Sequence, residues 1–313
     1  MMKISHLVNS EIDKVKWDEC IRNAPNGNVY AYSWYLDIVS KNWCALVTDD
    51  YSNVFPLTWR KKVSVKYLCQ PPFSQQLGLF SRDFITPDLL NNFINNIPKE
   101  YKLIEINLNK LNIEIPAHFT LHTNTTYELD LAYPYSDIKN GFSDNTKRNI
   151  KKAISNNVCL SNVVKPDDMI NLFRSNRGRH IATLQEKDYK ILQKLINLSL
   201  LKKCGTIWGA YNNNELCAAA FFIEANGKAV FLFSALNDKG RDNSAMFYIV
   251  DNFIRLNTEK PLVLDFEGSN DENIARFYKG FGSKKYSYFQ INSNNLPYLV
   301  NHFHKIYKRL KYS

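Results

Sequence analysis

Asp265 and Glu267 are the residues whose types and spacing first suggest chemistry. They alternate with Leu264 and Phe266 in Leu264-Asp265-Phe266-Glu267-Gly268-Ser269, a pattern that on a strand turns both carboxylates to one side. Either can serve as general base, Glu267 first and Asp265 second, by taking the proton from an ammonium before the amine attacks. The alternative is a structural pair hydrogen-bonded to neighbouring backbone. Lys147, Arg148, Lys151 and Lys152 form two adjacent pairs one helical turn apart, a basic stripe opposite Ile150, Ala153 and Ile154. On its own such a stripe is a solvated face. Arg174, Arg177, Arg179 and His180 surround Gly178, either as an exposed helix end or as a bidentate clamp for an acidic acceptor. The run from Gln70 to Gly78, which includes Gln76, is a long amide-bearing loop of the kind that holds acceptors.

Metal chemistry is not expected. His118 and His122 are four apart, but Pro116 and the Thr/Asn-rich flank predict a loop there. His302 and His304 are two apart on a predicted helix and point to different faces. Cys20, Cys44, Cys69, Cys159, Cys204 and Cys217 contain no CxxC pair, a scatter that predicts reduced thiols. The N-terminus lacks the apolar stretch of a signal peptide. The longest apolar run, Cys217 to Ile223, is far short of the roughly 20 residues of a membrane span. A soluble, cytoplasmic protein is expected.

These residues need elements to hold them. At 313 residues and 36.4 kDa the chain is long for one domain and comfortable for two. With 45% hydrophobic and 22% charged residues it is neither disordered nor fibrous. Forty Lys plus Arg against 30 Asp plus Glu give a charge of +10, which favours an anionic partner without choosing one.

Laid against itself, the chain repeats. Leu89-Leu90-Asn91-Asn92-Phe93-Ile94 matches Ile249-Val250-Asp251-Asn252-Phe253-Ile254, and Leu103-Ile104-Glu105-Ile106 matches Val263-Leu264-Asp265-Phe266, both offset by 160 residues. In the second half, strands are predicted at Thr206–Tyr211, Leu216–Glu224, Ala229–Ala235 and Leu262–Phe266, with helices at 245–254 and Asp271–Lys279. The first half predicts the same order: strands at Trp43–Thr48, Val54–Arg60 and Lys66–Gln70, a helix at Pro87–Ile97 and a strand at Leu103–Leu108. An α+β architecture built twice follows, with mixed sheets flanked by helices. The expected domains are 1–134 and 135–295, followed by a basic amphipathic helix over 296–313.

This order resembles the GNAT N-acyltransferase fold. Asp271-Glu272-Asn273-Ile274-Ala275-Arg276-Phe277-Tyr278-Lys279-Gly280-Phe281-Gly282 is similar to that family's closing motif, whose tyrosine protonates the leaving thiolate of coenzyme A; here that is Tyr278. The bland reading of the same stretch is a helix capped by glycine, with Phe277 and Tyr278 as core packing. Two such halves resemble the Fem-like and BioF2-like double-GNAT acyltransferases. The likeness is carried by Phe142–Ala153, by Gly209-Ala210 and by Leu264–Ser269. It implies a donor site on Lys239-Gly240-Arg241-Asp242-Asn243-Ser244-Ala245, where GNAT enzymes hold pyrophosphate on free backbone N–H groups at a helix start. Arg241 supplies the cation; Asp242, Asn243, Ser244, Asn273 and Lys279 complete the donor set, and Ser244 also fits a plain N-cap. The same likeness places Lys147, Arg148, Lys151 and Lys152 near phosphates of a nucleotide or tRNA; Arg177, Arg179 and Gln76 are acceptor candidates by their residue types and setting.

The resulting expectation is an N-acyltransferase using acyl-CoA (acetyl or longer) and a small-molecule amine, without metal or membrane span. A backbone N–H between Val230 and Ala235 would polarise the acyl carbonyl. The alternatives are a Fem-type transfer from aminoacyl-tRNA to a peptidoglycan precursor and a non-catalytic double-GNAT protein that binds an anionic ligand. Acyl-CoA is preferred because the basic patches are local and no tRNA-sized surface is evident.

Overall fold

The computed structural model describes residues 3–62, 64–181, 184–268 and 270–296. The helix predicted for 296–313 falls outside that set apart from its first residue. The chain opens with β1 (Ile4–Val8), α1 (Lys14–Asn23) and α2 (Ser33–Val39). Strands β2 (Trp43–Thr48), β3 (Asn53–Lys62), β4 (Val65–Cys69) and the short β5 (Phe80–Ser81) follow. Next come α3 (Pro87–Asn95), β6 (Tyr101–Asn107) and β7 (Thr120–Asp130). The middle of the chain holds α4 (Tyr135–Asn140), α5 (Asp144–Ser155), β8 (Cys159–Ser161), α6 (Pro166–Arg174) and α7 (Glu186–Leu201). Then come β9 (Gly205–Asn212), β10 (Glu215–Ala225), β11 (Lys228–Leu236) and α8 (Asp238–Asp242). The last described elements are α9 (Ala245–Asn257), β12 (Val263–Asp265), α10 (Glu272–Lys279) and β13 (Lys284–Asn294).

Two units emerge, and they do not follow the expected division at 134/135. One gathers residues 3–26, 40–123 and 288–296; the other gathers 27–39 and 124–287. The reason is exchange of segments. β7 follows β6 in the chain, yet it pairs with β12 (Leu264↔Leu129), whereas β13 follows β12 in the chain and pairs with β6 (Ile291↔Ile106).

Each unit nevertheless builds the same plan. In the first, β2, β3 and β4 are antiparallel neighbours, α3 crosses over, and β6 joins β4 in parallel with Leu68 opposite Ile104. In the second, β9, β10 and β11 are antiparallel, α9 crosses over, and β12 joins β11 in parallel with Ala229 opposite Leu264. Ile104 and Leu264, 160 residues apart, thus occupy corresponding strands. The sheets are mixed and helix-flanked, as expected for a duplicated α+β chain.

Local chemistry explains the second unit. Asn213-Asn214 and Asn226-Gly227 all take positive φ, the backbone that a two-residue hairpin turn of right-handed strands demands. Strand β10 is buried from Cys217 to Ile223 without a break, the mark of a strand covered on both faces. On one face α9 inserts Ala245, Ile249, Val250, Phe253 and Ile254, all buried, and Phe253 stacks on Phe222 at 3.8 Å. On the other, Phe173 of α6 meets Phe233 at 4.7 Å.

Two local expectations are corrected. The His118–His122 region is not a loop throughout: β7 begins at Thr120, because a Thr-rich run suits a pleated, half-buried surface. In α5, Ile150 and Ala153 are buried but Ile154 is 53% exposed, so the apolar stripe is one residue narrower than predicted. Among the described residues no helix is long and apolar enough to cross a membrane.

Candidate functional site

The second unit contains a fork in its sheet. β11 and β12 pair for three residues only, from Lys228↔Val263 to Val230↔Asp265. Beyond that point the chain after β12 stays with β7: the Phe266 N–H donates to the Tyr127 carbonyl at 2.9 Å, and the Tyr127 N–H to that of Glu267 at 3.3 Å. β11 stays with β10 instead. It carries one extra residue there, since Phe231 faces Phe222 and Phe233 faces Phe221, leaving Leu232 as a bulge. A bulge disrupts the ladder locally and re-aims the backbone. Past Val230, β11 therefore has an edge that β12 no longer covers, in the middle of the sheet. This is the stretch expected to polarise an acyl carbonyl.

Tyr278 of α10 packs at the fork. Its ring stacks on Phe266 (5.0 Å, 29°) and meets Phe231 edge-on (6.4 Å, 85°). Among the described residues its hydroxyl has no hydrogen-bond partner. Burial raises its pKa, the neighbouring Glu267 and Asp265 carboxylates raise it further, and the Arg177 guanidinium opposes them. The core-packing and chemical readings of Tyr278 are therefore compatible: the ring packs, and no described residue takes up the hydroxyl.

Glu267 lies past the end of β12, with φ at +57°. That left-handed backbone is uncommon for a residue with a Cβ and persists only when its surroundings enforce it. The strand-alternation argument consequently does not hold, because the strand stops at Asp265. Burial lifts the Glu267 carboxyl to about 8; a hydrogen bond from Tyr30 draws it down and the Asp265 charge pushes it up. The Tyr30 hydroxyl donates to Oε1 at 2.5 Å.

Asp265 has a different environment and is not available as a base. Its Oδ1 accepts from Thr126 Oγ1 at 2.7 Å and from the Glu267 N–H at 2.9 Å, and its Oδ2 faces Lys228 Nζ at 3.2 Å. Lys228 also donates to Glu128 at 2.6 Å. Burial lowers the Lys228 pKa, but the Asp265 and Glu128 charges outweigh it and leave the ammonium raised. Asp265 is the structural carboxylate that fixes the backbone of Glu267.

The donor loop departs from its expected form. Residues 238–242 are helical, and the Asn243 and Ser244 N–H groups are already bonded to the Lys239 and Arg241 carbonyls at 3.0 Å. Ser244 takes the N-cap position of α9 at φ +56° without capping it through its side chain. Its hydroxyl donates instead to Asn149 Oδ1 at 2.6 Å, and Asn156 donates to Asn243 Oδ1 at 2.8 Å. These two bonds tie the loop to α5, the helix on which Arg148, Lys151 and Lys152 are exposed and Lys147 is half-buried. Arg241 is exposed and paired with Asp238; Asp242 is exposed.

The other candidates lie on other elements. Asn273 is exposed on the first turn of α10, which is capped by Asp271, and Lys279 sits over the Tyr127 ring at 5.7 Å. Arg177 follows α6 close enough to act on Tyr278, whereas Arg179 lines a separate groove of about 650 Å³ with Asp168, Asn171 and Arg174. Gln76 belongs to the first unit and is buried, donating to Gln75 and accepting from the Lys110 N–H. Tyr30 is the residue that sequence reasoning missed. The only signal was its aromatic-rich setting, Tyr30-Ala31-Tyr32-Ser33-Trp34-Tyr35, and nothing there points to a partner 237 positions away.

No protein-family profile and no curated protein matches the chain by sequence. Solved structures do match in fold. FemX is 11% identical, covering 92% of this chain and 97% of its own at a TM-score of 0.66. L-PGS from Bacillus licheniformis is 10% identical, covering 95% and 96% at 0.53. A tandem GNAT protein from the clavulanic acid biosynthesis pathway is 9% identical, covering 94% and 99% at 0.54. The chain has the duplicated GNAT fold of Fem-like double-GNAT proteins.

Proposed function

We propose that the chain is an N-acyltransferase that moves an acyl group from acyl-CoA to a small-molecule amine at the fork of β11 and β12. The observation that carries this reading is the meeting of a raised carboxyl, Glu267, and an unpartnered hydroxyl, that of Tyr278, beside an uncovered strand edge. An ordinary carboxylate near 4.3 is a poor base toward an α-ammonium near 7.7–8.0, whereas one at about 8 is matched to it.

Glu267 takes a proton from the ammonium, and the amine nitrogen forms a bond to the acyl carbon. An amide of β11 near Leu232 holds the oxyanion. The carbon–sulfur bond then breaks, the coenzyme A thiolate takes a proton from Tyr278, and the tyrosinate regains one from the amide nitrogen, which sheds its second proton as the neutral amide forms; the proton on Glu267 leaves to solvent. Protonating Glu267 removes a charge that holds the tyrosine proton in place, so the base's action strengthens the acid. Arg241, Asn243 and Ser244 with Lys147, Arg148, Lys151 and Lys152 would meet the anionic part of the donor, with Asp242, Asn273 and Lys279 at its margins. Arg177 would meet an acidic group of the acceptor, and Arg179 is kept as a further acceptor contact. The protein would act in the cytoplasm.

A second reading, transfer from aminoacyl-tRNA in the Fem manner, is favoured by the exposed cations of α5 beside the donor loop. A third, ligand binding without turnover, makes no use of the raised Glu267. The deciding experiment combines thermal shifts with turnover for acetyl-CoA, longer acyl-CoAs and charged tRNA. A donor at a hundred times its Kd stabilises the fold by about 2.7 kcal/mol. Stabilisation by acyl-CoA with release of free thiol supports the first reading, and stabilisation by charged tRNA alone supports the second. Binding with no turnover for any donor leaves the third.

A further inference from the structure

We propose that Tyr30 is a positioning residue for this reaction, holding the Glu267 carboxyl by Oε1 so that Oε2 alone meets the substrate. The proposal deepens the reading of Glu267 as the base and rests on it. Tyr30 comes from residues 27–39, a segment that precedes β2 in the chain but folds within the second unit. Its ring is 2% exposed, and its hydroxyl donates to Oε1 at 2.5 Å. Among the described residues Oε2 has no hydrogen-bond partner. One carboxyl oxygen is anchored and the other is open, which fixes the direction in which the base presents its lone pair.

The segment is built to hold that hydroxyl in place. Val29, Tyr30 and Ala31 form a buried turn of 3-10 helix, and the Tyr30 ring meets Tyr35 edge-on at 5.7 Å and 84°. Tyr32 donates to Asn226 Oδ1 at 2.9 Å, at the tip of the β10–β11 hairpin, and Lys202 lies over the Trp34 ring at 5.5 Å. A hydroxyl needed only to satisfy burial could bond any backbone carbonyl. This one instead reaches the carboxyl whose backbone is itself held in a left-handed conformation. The ionisable groups acting on Glu267 are Tyr30 and Asp265; Tyr278 feels its charge in turn, with Arg177 acting on Tyr278.

Tyr30→Phe keeps the ring and removes the bond. Tyr32→Phe is the control, since it breaks the neighbouring tie of the same segment without touching Glu267. In carbon NMR of the full chain, with the Glu267 signal assigned by its loss in Glu267→Gln, the carboxyl midpoint should rise by about one unit in Tyr30→Phe, tenfold in proton affinity. It should not move in Tyr32→Phe. The acidic limb of the turnover profile should follow the midpoint, and kcat should fall roughly ten- to hundredfold, as for a misplaced catalytic group, with KM for the donor unchanged. An unmoved midpoint, or the same effects in Tyr32→Phe, overturns the role of Tyr30; if Glu267→Gln still abolishes turnover, the base reading survives. A moved midpoint with an unmoved turnover profile overturns both. Should Tyr30→Phe fail to fold, 3-fluorotyrosine placed at position 30 alone keeps the ring and makes its hydroxyl a stronger donor, so the Glu267 midpoint should fall; an unmoved midpoint overturns the role of Tyr30.

Discussion

Phe266 and Tyr278 lie stacked, ring centroids 5.0 Å apart, so the residue before Glu267 and the residue proposed as acid are held as one unit. The helix bearing Tyr278 is anchored just past that residue as well. A Cβ on Gly280 would lie 2.4 Å from Thr146 Oγ1, and the Ser143 N–H donates to the Gly280 carbonyl at 2.9 Å. Gly282, at φ +77°, lies against the Gly141 backbone. The closing glycines thus dock α10 against the start of α5, the helix that carries the basic stripe.

Tyr278→Phe should lower kcat by roughly 10²–10⁴-fold, the usual worth of a positioned acid. Because the ring contacts survive and no hydrogen bond to a described residue is lost, the melting temperature and the donor affinity should barely change. A thiol-release assay beside a melting curve reads both. Full turnover in this variant would place the acid elsewhere.

Glu267 makes stability depend on pH in a stated direction. Its folded value, about 8, lies above the unfolded value near 4.5, so between these limits the native state binds more protons than the unfolded one. Its contribution is complete below pH 4.5 and is lost as pH rises through 8. Glu267→Gln removes that loss, so the variant should gain on the wild type as pH rises, by about 5 kcal/mol at most. Denaturant unfolding at pH 5 and pH 8.5 checks the sign.

Lys228→Met should destabilise the second unit. It leaves Asp265 and Glu128 as buried carboxylates without their shared cation, a change that costs roughly 3–5 kcal/mol. Turnover should fall too, because Asp265 holds the Glu267 N–H. Chemical denaturation with a kcat measurement at low temperature separates the two effects.

The donor surface gives a salt-dependent test. Arg241 pairs with Asp238 only at the solvent-exposed surface, where such pairs contribute about 0–1 kcal/mol, so releasing it to a phosphate is inexpensive. Arg241→Ala should weaken acyl-CoA binding by roughly 1.5–3 kcal/mol. Lys151→Ala/Lys152→Ala should matter more for tRNA than for acyl-CoA and should flatten the salt dependence of tRNA binding. Titrations at two ionic strengths measure it.

Much of the fold was legible because its signals are local. β2 was predicted at Trp43–Thr48 and is found there; the Asn-Asn and Asn-Gly turns announced the second-unit hairpins; and the α9 stripe follows helical spacing. The duplication was visible at an offset of 160 residues because corresponding strands bury corresponding side chains. What escaped was non-local. No period in the sequence tells β7 to pair with β12 or residues 27–39 to leave their neighbours. The site follows the same rule. Tyr278 and Glu267 each stand in a short local motif that sequence can single out, whereas Tyr30 depends on a long-range contact. Two residues of apparent alternation could not show that the strand stops before Glu267.

The exchange of segments also sets an order of events during synthesis. Residues 27–39 leave the ribosome early, but the hairpin tip at Asn226 and the carboxyl of Glu267 follow some two hundred residues later. At about 5–20 residues per second that is a wait of roughly 10–40 seconds. During it an aromatic-rich stretch has no native surface to cover it. The first sheet waits longer still, since its β13 strand is among the last described residues made. Neither half can finish before the other has been translated, so the nascent chain matures as a single late event rather than as two successive ones.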